Sequence, residues 1–256
     1  MLVKSNVREN ISKVSNRVTL PIKSRSYELC IKADALRFSK LYKESVKCYL
    51  DAIMLDRKHL EAYSGLAASY KYLTEYKKSI SVLEKLIKLD DKNDKYYYEL
   101  GVCHLSDGNP EAAIPFLIKA IVLNKENLEA QIQLAIAHEL VDEPELSLMI
   151  YNKLIETNPE FLKAYYNKGA MLMGMGNFED AAQVFFKILK RNPDYYKASL
   201  GIAMSFDKLG KYSDAIRYYK KFLKQKQFSE DAIFAQKRIE ELRTKFSSKN
   251  NFLKLV

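Results

Sequence analysis

The sequence predicts an all-α fold of repeated helical hairpins, and three observations predict it. From Ser26 the chain falls without a gap into six blocks of 34 residues: 26–59, 60–93, 94–127, 128–161, 162–195 and 196–229. Small residues recur at two fixed block positions and large ones at a third, in every block. Only 8 glycines and 6 prolines are spread over 256 residues, which argues against a sheet-rich or low-complexity chain. A single hairpin of this size cannot bury its apolar faces, so the six must stack on one another.

Residues 1–25 precede the blocks. Val3, Val7, Ile11, Val14 and Val18 fall on one helical face, with the basic residues largely off it. Valine is only a fair helix former, so this helix needs a surface to dock on. The open edge of the first block offers such a surface, and the segment also fits an internal ligand of the repeats, an organelle-targeting segment, a membrane-surface helix or a disordered tail.

Inside the blocks, position 8 is Ala33, Ala67, Gly101, Ala135, Gly169 and Ala203. Position 20 is Ser45, Ser79, Ala113, Ser147, Ala181 and Ala215. These two columns mark where the paired helices come too close for a larger side chain. Position 24 is Tyr49, Leu83, Leu117, Tyr151, Phe185 and Tyr219, which fills the space beside them. Position 17 opens the second helix and holds Pro110 and Pro144 in two blocks. Proline suits that place, because an early helical N–H has no internal partner to lose. The clearest block is 162–195, with a glycine turn between its two amphipathic segments and Pro193 closing the second.

After the last block, Ala232, Ala235, Ile239, Leu242 and Phe246 form one more apolar stripe. A helix over 230–246 would cover the face that the last repeat leaves open. Residues 247–256 are expected to form a flexible tail.

At these columns the sequence resembles the tetratricopeptide repeat family, whose 34-residue pattern is W-x₂-L-G-x₂-Y, then A-x₃-F, then P. The resemblance covers 204 of the 256 residues. Tryptophan is absent, and the closing proline survives only at Pro159 and Pro193. The resemblance implies a right-handed α-solenoid of antiparallel helix pairs that binds a peptide or helix of another protein in a concave groove. It also implies which residues line that groove, namely those at positions 2, 5, 9, 12 and 13. The first two blocks contribute Phe38 and Tyr72, and the third contributes Lys95, Tyr98, Val102 and Leu105. Ile132, Ile136 and Leu140 come from the fourth, Lys163, Tyr166 and Met173 from the fifth, and Lys197, Leu200 and Met204 from the sixth. Some relatives grip a terminal carboxylate with lysine and asparagine at positions 5 and 9. Here Ile132 and Ile136 stand in those places ahead of Asn167, so that clamp is not expected.

Charge and chemistry narrow the function further. The net charge is +10, of which residues 1–25 carry +5 and residues 230–256 carry +2. The repeats themselves are close to balanced, which opposes RNA binding, the first rival reading. A salt titration with single-stranded RNA separates the two. An adaptor working through its convex face or its ends is the second rival. His104 and His138 both occupy position 11, a packing column, and supply no zinc ligand set. Cys103 and His104 are adjacent on a helix and point about 100° apart, so they do not form a nucleophile–base pair. No enzyme activity, cofactor, metal or small-molecule substrate is expected. Three dispersed cysteines fit reduced thiols and a cytoplasmic protein. No apolar run approaches the ~20 residues of a membrane span. The partner's identity and the oligomeric state are not encoded in these patterns.

Overall fold

The computed structural model describes residues 22–253, with side chains over 24–244. The amphipathic segment carrying Val3 to Val18 lies outside the described residues. Among those described there are thirteen helices and no strand. They are α1 Ile22–Phe38, α2 Tyr42–Leu55, α3 Leu60–Tyr72, α4 Tyr76–Leu89, α5 Asp94–Ser106, α6 Pro110–Leu123 and α7 Leu128–Leu140. There follow α8 Pro144–Thr157, α9 Leu162–Gly174, α10 Phe178–Arg191, α11 Tyr196–Lys208, α12 Tyr212–Gln225 and α13 Glu230–Leu253. The register is strict. In blocks two to six the first helix fills positions 1–13, and in all six the second fills positions 17–30.

The turn between paired helices explains that regularity. Position 15 has a positive φ in every block, at Lys40, Thr74, Gly108, Asp142, Gly176 and Gly210. The next residue's N–H then bonds back to position 11, as Leu41 does to the Leu36 carbonyl at 2.9 Å. This left-handed helix end satisfies carbonyls that would otherwise be orphaned. Glycine adopts it without strain, whereas the β-branched Thr74 at φ 59° does so at a cost. Pro110 and Pro144 open α6 and α8, as their place in the blocks predicts.

The chain divides into two compact units, Met1–Ala130 and Gln131–Val256. In the first, α1 to α6 pack as successive hairpins around Tyr49, Leu66, Leu83, Leu86, Leu100 and Cys103. In the second, one cluster centres on Phe185, Ile188 and Ile202, and another on Tyr219, Phe222, Ile239 and Leu242. All eighteen residues of the position 8, 20 and 24 columns are buried. The Phe185 ring shows why the small ones are small. A Cβ added at Gly169, in its own hairpin, would stand 2.7 Å from that ring, and one at Gly201, in the next, 2.5 Å. Real Cβ atoms do not come that close, so both helices use glycine to let one aromatic ring fill the gap between them.

Helix α13 buries Ala232, Ala235, Ile239 and Leu242 against the last hairpin, as the apolar stripe predicts. It continues to Leu253, so part of the expected flexible tail is helical.

Candidate functional site

The first helices present the residues of interest, and in the first unit Asp34, Arg37, Lys71 and Glu99 are paired internally. Asp34 Oδ1 accepts from the Tyr49 hydroxyl at 2.6 Å and from Arg37 Nη2 at 3.0 Å, while Arg37 Nε donates to the same hydroxyl at 3.1 Å. Burial, with Asp34 beside it, pushes the Tyr49 phenol well above its ordinary value. Lys71 on α3 forms an ion pair with Glu99 on α5. Phe38 is 76% exposed, with the Arg37 guanidinium 4.6 Å from its ring centre. Tyr72 is 57% exposed and stacks on Tyr42 at 4.8 Å. On α5, Tyr98, Val102 and Leu105 are half-buried, and Lys95 is exposed in the first turn. Burial also raises the Tyr98 phenol.

In the second unit the same face is more apolar. Ile136 on α7 is partly exposed and Leu140 is 59% exposed. Tyr166 and Met173 on α9 are half-buried, each with one side on the Phe185 cluster. Leu200 and Met204 on α11 lean likewise on the Tyr219 cluster. Lys163 and Lys197 are exposed in first turns, and Lys197 Nζ lies 5.7 Å from the Tyr166 ring centre. Ile132 departs from the expected groove surface. It is 0% exposed, so it is a core residue and offers no surface to a ligand. The branched aliphatic chain at position 5 ends inside the packing there. The tyrosine rings at the same position, Tyr98 and Tyr166, reach beyond it.

The remaining candidates behave as packing or structural groups. His59 is buried, with Nδ1 2.7 Å from Ser26 Oγ, and its ring lies 4.3 Å from that of Tyr27. His104 stacks on Phe116 at 5.3 Å, and neither ring nitrogen finds a hydrogen-bond partner. Burial lowers its pKa. His138 Nδ1 is 2.6 Å from Glu143 Oε2. Cys103 Sγ meets Ser79 Oγ at 3.2 Å, and burial pushes its thiol up, away from the reactive thiolate. Among the described residues no three His, Cys, Asp or Glu side chains are placed to hold a metal. No described helix is long and apolar enough to cross a membrane.

One feature of this face was not anticipated from the sequence. Tyrosine stands at position 24 only in blocks one, four and six, and only those blocks carry an acid at position 9 or 12 of the first helix. The acids are Asp34, Glu139 and Asp207. That correlation is readable in the sequence once the columns are aligned.

The model of the tetratricopeptide repeat family matches residues 64–127 and 166–232, just over half of the chain, and a second model of it matches 29–59. The chain belongs to the tetratricopeptide repeat family. Solved structures agree on the fold of this tetratricopeptide array. A tetratricopeptide repeat protein from Parabacteroides merdae superposes with a TM-score of 0.69 at 16% identity, over 89% of this chain and 87% of that one. PilW, a type IV pilus biogenesis factor, gives 0.70 at 17% identity, over 87% of this chain and 100% of its own. MamA gives 0.55 at 25% identity, over 63% of this chain and 95% of its own. No curated protein matches the chain. Family and fold point to a protein-interaction scaffold.

Proposed function

We propose that the array is a non-enzymatic scaffold that holds a peptide or helical segment of a partner protein against its first helices, in the concave groove of the family. The observation that carries this is the half-exposed apolar surface at positions 5, 9, 12 and 13. Val102 and Leu105 supply it in the first unit, and Ile136, Leu140, Met173, Leu200 and Met204 in the second. These side chains lie outside the invariant columns that join the helices, and an apolar surface left over after packing is what a binding site requires. Affinity then rises with the apolar area covered, less the cost of ordering the ligand. We place the protein in the cytoplasm, where its three free thiols are at home.

Ile136→Asp tests the reading. Partner capture should be lost while the helical circular dichroism and the melting temperature stay near wild type. A large loss of stability would show that Ile136 is core and that the groove fails at that point.

A second reading has its own observation. The second helices also expose apolar side chains, among them Met54 at 78%, Val122 at 65% and Met149 at 60%. An adaptor working through its convex face would use these. Capture would then survive Ile136→Asp and fail in Met149→Asp.

A further inference from the structure

The first, fourth and sixth repeats each carry a tyrosine at position 24 and an acid on the first helix, but only the first and sixth join the two by a hydrogen bond. In the sixth, the Tyr219 hydroxyl donates to Asp207 Oδ2 at 3.3 Å. Arg238, from the first turns of α13, grips the same carboxylate with Nε at 2.6 Å and Nη2 at 2.9 Å. The first repeat closes its own version with Arg37. In the fourth repeat the tyrosine is Tyr151, fully buried, and its hydroxyl has no hydrogen-bond partner. Ser147 lies close enough to temper the phenol's titration, but neither hydroxyl makes a bond of sound geometry. The acid is Glu139, at the block position of Asp207, and its charge is felt at Tyr151. The position that holds Arg238 in the sixth-repeat cluster is held here by Ala170, on α9, and Ala170 is exposed. Position 6 of that helix, which lends Glu99 to Lys71 in the first unit, is the uncharged Asn167.

Glu139 and Tyr151 thus repeat the acid and the tyrosine of the sixth-repeat cluster without its guanidinium or the hydrogen bond between them, and Met173 stands where Glu241 flanks Arg238. Glu139 is open to solvent, yet burial of its inner side raises its carboxyl. A partly desolvated carboxylate without a counter-charge favours a cation that can also satisfy its oxygens in parallel. The planar fork of arginine does this, and the protein itself uses arginine in both completed clusters. We propose that Glu139, beside Ala170 and backed by the unpartnered Tyr151 hydroxyl, is a subsite for an arginine side chain of the bound protein segment. The segment's guanidinium would take the place of Arg238, and Tyr151 would donate to the carboxylate so held. This rests on the proposal that the first-helix face binds a protein segment.

The full chain is titrated with N-acetyl-argininamide and, in parallel, N-acetyl-lysinamide, following the Tyr151 and Ala170 resonances by NMR. Wild type should respond to the arginine probe and more weakly to the lysine probe. Glu139→Gln should weaken the arginine probe by about tenfold, as loss of a charge-assisted pair does. Ala170→Arg should supply the missing group from within, raising the melting temperature by a few degrees and abolishing the probe response. Ala170→Gln, of similar length and uncharged, should do neither. No response in wild type, an equal response in Glu139→Gln, or an unshifted melting temperature in Ala170→Arg would each overturn the subsite. The groove reading is measured separately, by binding of arginine-free apolar peptides and its loss in Ile136→Asp. Such peptides still binding when the arginine probe does not would leave the groove standing and the subsite refuted.

Discussion

Two sets of positions run through the same repeats and obey different rules. At positions 8, 20 and 24 the side chains vary little in size and are buried in every block. At positions 5, 9, 12 and 13 they vary from serine to tyrosine and from lysine to glutamate, and many are partly exposed. Within each unit the first set packs hairpins together, as Phe185 does against Gly169 and Gly201, so a substitution there is a matter of volume. The second set is free of that repeated volume constraint, and in the proposed function it answers to what lies against the surface. On the proposed reading recognition falls to the partly exposed members of the second set, such as Ile136 and Leu140, while Ile132 and Asp207 at the same positions serve packing and pairing.

The largest effect is expected at the buried columns. Phe185→Ala would remove a ring that two glycines were shaped around, costing ~3–5 kcal/mol and lowering the melting temperature by on the order of 10 °C. A much smaller loss would mean that α9, α10 and α11 collapse into the gap, and that volume is not what fixes this column. Next comes the closed cluster of the sixth repeat. Arg238→Met strands Asp207, whose side chain is only 10% exposed, and should cost ~1–3 kcal/mol in urea unfolding. An unchanged midpoint would show that the cluster adds nothing to holding α13.

His104 offers a change in the opposite direction. Both ring nitrogens are buried without partners, in a column that elsewhere holds Leu36 and Leu172. His104→Leu should raise stability by ~1 kcal/mol at neutral pH. Because burial lowers the folded-state pKa, the neutral ring is favoured when folded. The wild type should therefore lose stability as pH falls below about 6.5, where the unfolded ring begins to take up a proton. The leucine variant should lack that component of the loss, and a matching pH profile in both proteins would contradict it. The smallest effect is at the turn. Thr74→Gly relieves a left-handed β-branched residue and should gain about 0.5–1 kcal/mol, net of glycine's own entropy. A loss instead would show that the turn is not strained.

The division of labour also decides what could be read from the sequence. The hairpins, their ends and the buried columns were legible because packing repeats with the period of the chain. Pro110 and Pro144 marked helix starts, and Ala232 to Leu242 marked the last helix, for the same reason. The proposed binding face was legible only as a set of positions. Ile132 shows the limit, since whether a position 5 side chain is buried depends on its reach and on what packs beside it. The incomplete cluster at Glu139 and Tyr151 was hidden for a different reason. Its meaning comes from comparing hydrogen bonds between repeats, and a hydroxyl's lack of a partner is a property of three-dimensional packing. The column correlation alone gave a tyrosine and an acid, with no sign of which copy was left open.

The central claim is that the first-helix face of the array holds the partner, and photo-crosslinking in cells tests it most directly. A photoreactive residue replaces Met173 or Met204 on first helices, or Met54 or Met149 on second helices, in otherwise full-length protein. The account predicts a discrete adduct from Met173 and Met204 that disappears when Ile136→Asp is added. It predicts none from Met54 or Met149. Adducts formed mainly at Met54 or Met149, and untouched by Ile136→Asp, would contradict it and place recognition on the opposite face.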